Sequence, residues 1–271
     1  MIRVLSLGAG VQSSTLALMA AAGELEMPDH AIFADTHWEP KPVYEWLHDY
    51  LMPRLPFPVH IVSKGDLRLE QITARMCGKK TDGAGRWASL PYYTKDAENS
   101  KGIVRRQCTG EYKIQPIEKK IRELIGLKPR QRFPKELAVE QWLGISMDEM
   151  QRMKFSVDAW RVFRHPLIEK RMSRHDCLSW LSAHGHPQAP RSACIGCPFH
   201  SNAEWRAMRD ERPDEWNDAV EFDASIRVAG GMRGETFLHR QCVPLNEVDL
   251  RTPSDYGQLS WLDECGGVCG V

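Results

Sequence analysis

A run of small residues near the start of the chain has the composition of a phosphate-binding loop. The letters SLGAGVQSS occupy residues 6–14, between a predicted strand at residues 3–7 and a predicted helix at residues 13–22. Backbone N–H groups at a helix amino end lack acceptors and carry partial positive charge, and small side chains let a phosphate reach them. A tight turn without a ligand is the alternative. The predicted nucleotide contacts are Ser6, Gly8, Ala9, Gly10, Gln12, Ser13 and Ser14.

A second predicted strand, at residues 31–34, ends in two polar residues, Asp35 and Thr36. Ligands of open parallel sheets bind outside the carboxyl ends of the strands. We therefore predict that Asp35 accepts hydrogen bonds from a ribose or a base amine, with Thr36 as a neighbouring contact. Capping of the next turn by both residues is the alternative.

Cysteines supply the second kind of chemistry, and the chain has eight of them. Cys194 and Cys197 form a C-x-x-C pair, a spacing that can bind one metal ion or two irons of a cluster. An iron–sulfur cluster is the preferred interpretation. Structural zinc, a dithiol redox pair and a plain turn are the alternatives, and a four-cysteine site needs two further ligands.

Positive charge is concentrated in residues 101–132, which contain ten Lys or Arg and three Glu, an excess of seven. Such a stretch can hold a polyanion or a phosphorylated small molecule. Within it, Arg105, Arg106 and Lys113 flank Cys108. These three cations are the candidate contacts of a phosphate or sulfate group.

Composition limits the class of protein. The 271 residues are 42% hydrophobic, and 36 basic and 36 acidic residues give a formal net charge of zero. A neutral total gives no general argument for a nucleic-acid or membrane partner. The start of the chain lacks the apolar region of a secretion signal, and no apolar run reaches the roughly 18–20 residues that span a bilayer. We expect a cytoplasmic protein with reduced thiols and no membrane partner.

The elements that must position these residues alternate between strand and helix. Helical patterns follow the predicted strands at residues 3–7, 31–34 and 59–62, and a further strand is predicted at 139–145. This alternation predicts an α/β fold, an open parallel sheet with helices on both faces. A long, glycine-containing loop is predicted over residues 67–106. We expect a nucleotide-binding domain at residues 1–200, and a helical segment with a cysteine-containing tail at 201–271.

Four segments, taken in order, resemble one known family. The loop at residues 6–14 resembles the pyrophosphatase-type loop (PP-loop) of the adenine nucleotide α-hydrolase superfamily, and within it the phosphoadenylyl-sulfate (PAPS) reductases. Residues 35–44 resemble that family's Asp-Thr-Gly…Pro-Glu…Tyr segment, and residues 108–116 its Cys-x-x-x-x-Lys-x-x-Pro segment. Residues 264–266 resemble its C-terminal Glu-Cys-Gly. The sequence departs from the superfamily at Gln12, where Asp is common, and from the reductases at Ser146, where an arginine stands.

The resemblance implies a sulfonucleotide reductase that binds ATP or an adenylyl sulfate. Cys265 would attack the sulfur, and a thioredoxin-type partner would reduce the product to sulfite. Lys113 and Arg106 would be catalytic, and Arg105 would bind the nucleotide. The C-x-x-C pair also resembles cluster-bearing members of the superfamily, which implies a 4Fe-4S cluster. Its implied ligands are Cys108, Cys194, Cys197 and Cys269, and Cys242 and Cys265 compete for the last place.

Two other functions are compatible with the same residues. The loop could bind ATP and adenylate an oxygen of a nucleic acid, which sulfur from a cysteine desulfurase then replaces. That is the chemistry of thiolation and of DNA phosphorothioation. Alternatively, the chain could be a zinc-stabilised binding module without enzymatic activity.

Overall fold

The computed structural model describes residues 1–76, 89–228, 234–252 and 255. They belong to two compact units. Unit 1 comprises residues 1–35, 39–64 and 112–192, and unit 2 comprises the described parts of 36–38, 65–111 and 193–271.

Unit 1 is built on a five-stranded sheet in which every pair of neighbouring strands is parallel. The strands are β1 (Ile2–Leu7), β2 (His30–Asp35), β3 (Val59–Ser63), β6 (Val139–Leu143) and β7 (Arg161–Arg164). Their order is β3-β2-β1-β6-β7, and Leu5 of β1 lies opposite both Ala31 of β2 and Trp142 of β6. The predicted parallel sheet is confirmed, with β7 as a fifth strand that the sequence pattern did not indicate.

Helices cover both faces of this sheet, as predicted. Successive side chains of a strand point to opposite faces, so Leu5 joins one apolar cluster and Val4 another. Leu16 of α1 lies in the first cluster and Ile121 of α4 in the second. The helices of unit 1 are α1 (Val11–Ala21), α2 (Lys41–Glu45), α4 (Gln115–Leu124), α5 (Pro166–Glu169) and α6 (Arg174–Ala183).

Two of these helices have well-defined starts. Ser173 and Asp176 form a reciprocal capping box at α6, which satisfies backbone donors in its first turn. Pro42 lies in the first turn of α2, where its missing N–H costs nothing. The helical path of α2 continues through a π-helix (Trp46–Leu51) and a 3₁₀ turn (Met52–Arg54).

Unit 2 combines a small antiparallel sheet with helices. Its strand order is β5-β4-β8, formed by β4 (Tyr93–Lys95), β5 (Lys101–Ile103) and β8 (Glu235–Phe237). The helices are α3 (Leu67–Met76), α7 (Asn202–Glu211) and α8 (Pro213–Ile226). The prediction of a loop throughout 67–106 was wrong, because α3, β4 and β5 lie there. Strands of three residues are too short to show an alternating pattern.

The two units are not contiguous along the chain. Residues 65–111 group with the C-terminal part, because β4 pairs with β8 and Arg68 on α3 contacts Asp218 on α8 at 2.6 Å. The strands β4 and β8, from distant parts of the chain, thus share one sheet. Among the described residues, no helix combines the length and the apolar character needed to cross a membrane.

Candidate functional site

The loop between β1 and α1 presents uncapped backbone amides. Gly10 precedes α1 without a side-chain cap, and the first helical hydrogen bond runs from the Ser14 N–H to the Gly10 carbonyl at 3.0 Å. The amides of Val11, Gln12 and Ser13 therefore have no acceptor within the helix. Ala9, completely buried, adopts the left-handed region with φ of 53°. Such a turn makes a concave nest of N–H groups that suits an anion.

Serine side chains hold this loop in shape. The Ser13 hydroxyl accepts from the Gly8 N–H at 3.1 Å and lies 3.4 Å from the Gly10 carbonyl, to which it donates. The Ser14 hydroxyl is buried and accepts from the indole N–H of Trp46 at 2.9 Å. Ser6 accepts from the Gln141 amide at 2.8 Å. These hydroxyls thus stabilise the loop, and their direct contact with a nucleotide stays a prediction.

Two backbone segments pack closely against the loop. A Cβ on Gly144 would lie 3.0 Å from the Ser13 nitrogen, and a Cβ on Gly10 would lie 3.3 Å from the Cβ of Ser192 and 3.9 Å from the Pro190 carbonyl. A side chain at either position would be tighter than an ordinary contact, so the facing residue would have to move by a few tenths of an ångström. No local pattern indicates either segment, since the contacts join residues more than 100 positions apart.

Asp35, at the carboxyl end of β2, is oriented by a tyrosine. The Tyr44 hydroxyl donates to Asp35 Oδ1 at 2.7 Å, and the Glu39 N–H donates to the same hydroxyl at 3.4 Å. Burial, followed by the hydrogen bond and the charge of Asp35, raises the pKa of Tyr44 well above its usual value. The hydroxyl therefore remains a donor and fixes one carboxylate oxygen.

Lys113, a predicted catalytic residue, lies beside a buried carboxylate. Its Nζ is 3.2 Å from Glu39 Oε1; the Glu39 side chain is 0% exposed and that of Lys113 is 33% exposed. A second cation of unit 1, Lys64, lies over the ring of Tyr112 at 4.3 Å from its centroid. Glu39 was not among the predicted site residues, because nothing in the spacing indicates a pair separated by so much sequence.

In unit 2, the C-x-x-C pair forms a tight, buried turn. The Cys197 N–H donates to the Cys194 carbonyl at 3.0 Å, and the Ile195 N–H donates to the Trp38 carbonyl at 2.9 Å. The Thr36 hydroxyl lies 3.3 Å from the Cys194 sulfur. Thr36, predicted to contact the nucleotide, thus contacts a cysteine of unit 2. Its role in nucleotide binding stays a prediction.

An indole ring packs against this turn. A Cβ on Gly196 would lie 2.0 Å from Cη2 of Trp38, so only glycine fits there. Trp38 in turn donates to Asp218 at 2.6 Å and meets the ring of Phe222 edge to face. The segment that follows β2 thereby fixes the conformation of the C-x-x-C turn.

Comparison with known proteins adds one likeness. No protein-family model matches the sequence, and no curated protein matches it. Among solved structures, the chain is similar to the PAPS reductase of Candida auris, solved as a phosphate complex. The TM-score is 0.41 and the identity 13%, over 70% of this chain and 75% of that one.

Cys108 and the two predicted arginines before it lie on a segment of unit 2. The amides of Gln107 and Cys108 both donate to the Ser89 carbonyl, at 2.9 and 2.7 Å. Arg106 lies over the ring of Phe199, 5.7 Å from its centroid, which places this arginine near the residues that follow Cys197. Arg105 is exposed.

A complete metal site is not formed by the described residues alone. Within residues 1–76, 89–228, 234–252 and 255, no three His, Cys, Asp or Glu side chains are grouped to hold a metal ion. Cys269, the predicted fourth ligand, and Cys265, the predicted nucleophile, lie outside the described residues. The cluster stays a prediction. Cys177 is completely buried in the core of unit 1, and this burial raises the pKa of its thiol to about 12.

Proposed function

We propose that this chain is a sulfonucleotide reductase-like enzyme that binds an adenine nucleotide through unit 1. The observation that carries the proposal is the β1–α1 loop, where a left-handed Ala9 and the uncapped amides of Val11, Gln12 and Ser13 form an anion site. This arrangement at the carboxyl edge of a parallel sheet suits the phosphate of a nucleotide.

The remaining residues of unit 1 suit the rest of such a ligand. Asp35, held by Tyr44 at the carboxyl end of β2, is the proposed acceptor for a ribose hydroxyl or a base amine. Lys113, held beside Glu39, supplies a partly exposed ammonium for a phosphate or sulfate oxygen. In unit 2, Arg105 and Arg106 are the cations proposed for the sulfate or second phosphate.

The proposed reaction uses the thiol of Cys265. Its thiolate attacks the sulfur of the adenylyl sulfate, the bond from sulfur to the bridging phosphate oxygen breaks, and the adenosine phosphate leaves. The product is a thiosulfonate on Cys265. A dithiol of a thioredoxin-type partner then supplies two electrons, which releases sulfite, restores the thiol and leaves a disulfide in the partner.

One observation favours a second reaction. Ser146 stands where the reductases that the sequence resembles carry an arginine; it is completely buried, and its hydroxyl lies 3.5 Å from the Gln12 amide. This position offers no cation to a sulfate. In the alternative, an acceptor oxygen on a nucleic acid attacks the α-phosphorus of ATP and pyrophosphate leaves. The terminal sulfur of a desulfurase persulfide would then displace AMP, and a thiol reductant would cleave the S–S bond that still joins the product to the desulfurase.

Product analysis distinguishes the two reactions. The protein is purified anaerobically and incubated with each adenylyl sulfate plus a dithiol reductant, and separately with ATP plus nucleic acid. Sulfite release supports reduction, and pyrophosphate release supports adenylation. Cys265→Ser is expected to abolish sulfite release, whereas Cys177→Ala, which changes a buried thiol of the core, should retain it. Failure to bind any adenine nucleotide would overturn both proposals.

A further inference from the structure

Five exposed cations lie close in sequence on unit 1, at α4 and in the loop that follows it. We call them the basic surface. Their positions are Lys119 in α4 and Lys128, Arg130, Arg132 and Lys135 in residues 126–137. None of the five forms an ion pair with another described residue, whereas the neighbouring Lys120 contacts Glu123 at 3.2 Å. Their charge is therefore available to a partner.

The loop that carries this surface is anchored rather than frayed. The ring of Phe133 stacks on Trp160, with centroids 3.9 Å apart and planes inclined by 3°. The Arg122 guanidinium covers Phe133 at 4.5 Å from its centroid and donates to the Gln131 carbonyl. The Gln131 side chain accepts from the Lys128 N–H at 3.0 Å, which closes a turn. Cations mounted on an ordered turn lose less entropy on binding than those of a flexible tail.

The basic surface is separate from the nucleotide loop. Residues 126–137 lead into the amino end of β6, where Ala138 accepts from the Ile2 N–H at 2.9 Å. The glycine loop instead follows the carboxyl end of β1, in the same parallel sheet. The basic surface thus lies at the amino ends of the parallel strands, and the glycine loop lies at their carboxyl ends. The chain as a whole has zero net charge, whereas residues 126–137 contain four Lys or Arg and one Glu, Glu136.

We propose that the basic surface binds the sugar–phosphate backbone of a nucleic acid. Five separate, exposed cations suit a chain of phosphates better than a single anion, which calls for converging donors. Both faces of the Phe133 ring are occupied, by Trp160 and Arg122, so the ring offers no stacking platform for a base. Contacts limited to phosphates position a nucleic acid without reading its sequence. Binding is therefore independent of sequence and strongly dependent on salt.

The test is fluorescence anisotropy with a labelled mixed-sequence strand of about 30 nucleotides and its duplex, between about 50 and 200 mM salt. The variant Lys128→Gln, Arg130→Gln, Arg132→Gln is compared with Lys154→Gln, Lys170→Gln, Arg171→Gln, which removes three exposed charges elsewhere on unit 1. Arg130 and Arg171 both have positive φ, 64° and 54°, so the backbone effects are matched. No nucleotide is added, so the result does not depend on the proposed function.

Binding by the wild-type chain should weaken with salt, and the first variant should lower the slope of log K against log salt by about 2, at roughly 0.7–0.9 for each lost contact. Its affinity at the lowest salt should fall at least about tenfold. The second variant should match wild type, and Lys119→Gln, Lys135→Gln should give a smaller loss. The proposal would be overturned if the first variant bound with wild-type affinity, or if the wild-type chain did not bind at low salt. Tighter binding of the wild-type chain to phosphatidylserine vesicles than to either nucleic acid would also overturn it.

Discussion

At the scale of single residues, the pairing of Lys113 with buried Glu39 predicts that the lysine stabilises the fold. Replacing Lys113 by Met leaves the Glu39 carboxylate buried without the ammonium that lies 3.2 Å away. We expect the free energy of unfolding to fall by about 3 kcal/mol. Urea unfolding followed by circular dichroism measures the change.

The double variant Glu39→Gln, Lys113→Met separates this effect from substrate binding. It removes both charges, so most of the lost stability should return. If the double variant still binds an adenylyl sulfate more weakly than the wild-type chain does, Lys113 also contacts the ligand. An unchanged stability in Lys113→Met alone would show that the pair does not stabilise unit 1.

Tyr44 offers a second prediction at this scale, through its hold on Asp35. Tyr44→Phe removes the donor that lies 2.7 Å from Asp35 Oδ1 and leaves the ring in place. A hydrogen bond to a charged group contributes about 1.5 kcal/mol, so nucleotide affinity should fall roughly tenfold. Isothermal titration calorimetry measures it.

The matched control is Tyr50→Phe, because the Tyr50 hydroxyl contacts His186 at 2.9 Å and not Asp35. That variant should bind nucleotide as wild type does. Equal affinities for Tyr44→Phe and wild type would exclude Asp35 orientation as a factor in binding.

At the scale of elements, the start of α1 depends on the close approach of the segment that follows β6. A methyl group on Gly144 would lie 3.0 Å from the Ser13 nitrogen and 3.1 Å from its Cα, so the backbone of the loop must move. We expect Gly144→Ala to weaken nucleotide binding at least about tenfold, since a shift of several tenths of an ångström misplaces the amides. Equilibrium dialysis with labelled ATP measures the affinity.

Gly110→Ala is the control for this substitution. A Cβ at position 110 meets no atom within 4 Å, and Gly110 does not need a positive φ. Near-normal nucleotide affinity is expected there. Were both variants to bind as wild type does, crowding by the segment after β6 would have no part in shaping the loop.

Much of unit 1 could be predicted from the sequence because its elements are long and apolar. The residues of β2 and α1 are buried nearly throughout, as are Val4, Leu5 and Leu7 of β1, and buried segments leave clear apolar runs. The three-residue strands β4, β5 and β8 leave no such pattern. Contacts such as Glu39 with Lys113 depend on the folded chain, and no local spacing encodes them.

The sequence predicted which types of residue form the loop better than it predicted what each residue contacts. The loop at residues 6–14 lies at a helix amino end as expected, yet the left-handed residue is Ala9 and not a flanking glycine. Ser14 is predicted to contact a phosphate, and its hydroxyl also accepts from the indole N–H of Trp46, a contact that no local pattern indicates. Sequence shows which groups are small or polar, but only packing decides which way each one points.

At the scale of the whole molecule, buried His239 makes stability depend on pH. Its Nδ1 accepts from the Gln241 N–H at 3.2 Å, so Nε2 carries the proton toward the Asn202 oxygen at 3.1 Å. Burial, with the charge of Arg240, lowers the pKa of His239 to about 4. The unfolded chain, with a pKa of about 6.5, then binds more protons between these values. Stability should fall by about 2–3 kcal/mol as the pH drops from about 6.5 to 4.

Urea unfolding at a series of pH values tests this dependence. His239→Gln should flatten the dependence of the free energy of unfolding on pH between the two pKa values, whatever its effect on stability at neutral pH. His175→Gln, at an exposed histidine, should leave the slope intact. If the pH dependence of stability persists in His239→Gln, it arises from other groups.

The packing of the Trp38 indole against Gly196 has a consequence for the evolution of the sequence. The two residues lie 158 positions apart, and a methyl group at 196 would overlap the ring. Relatives that keep tryptophan after the second strand must therefore keep glycine inside the cysteine pair, and those that lose the ring are released from that restriction. Across a deep alignment, positions 38 and 196 should change together, and independent drift at the two sites would argue that the contact was never under selection.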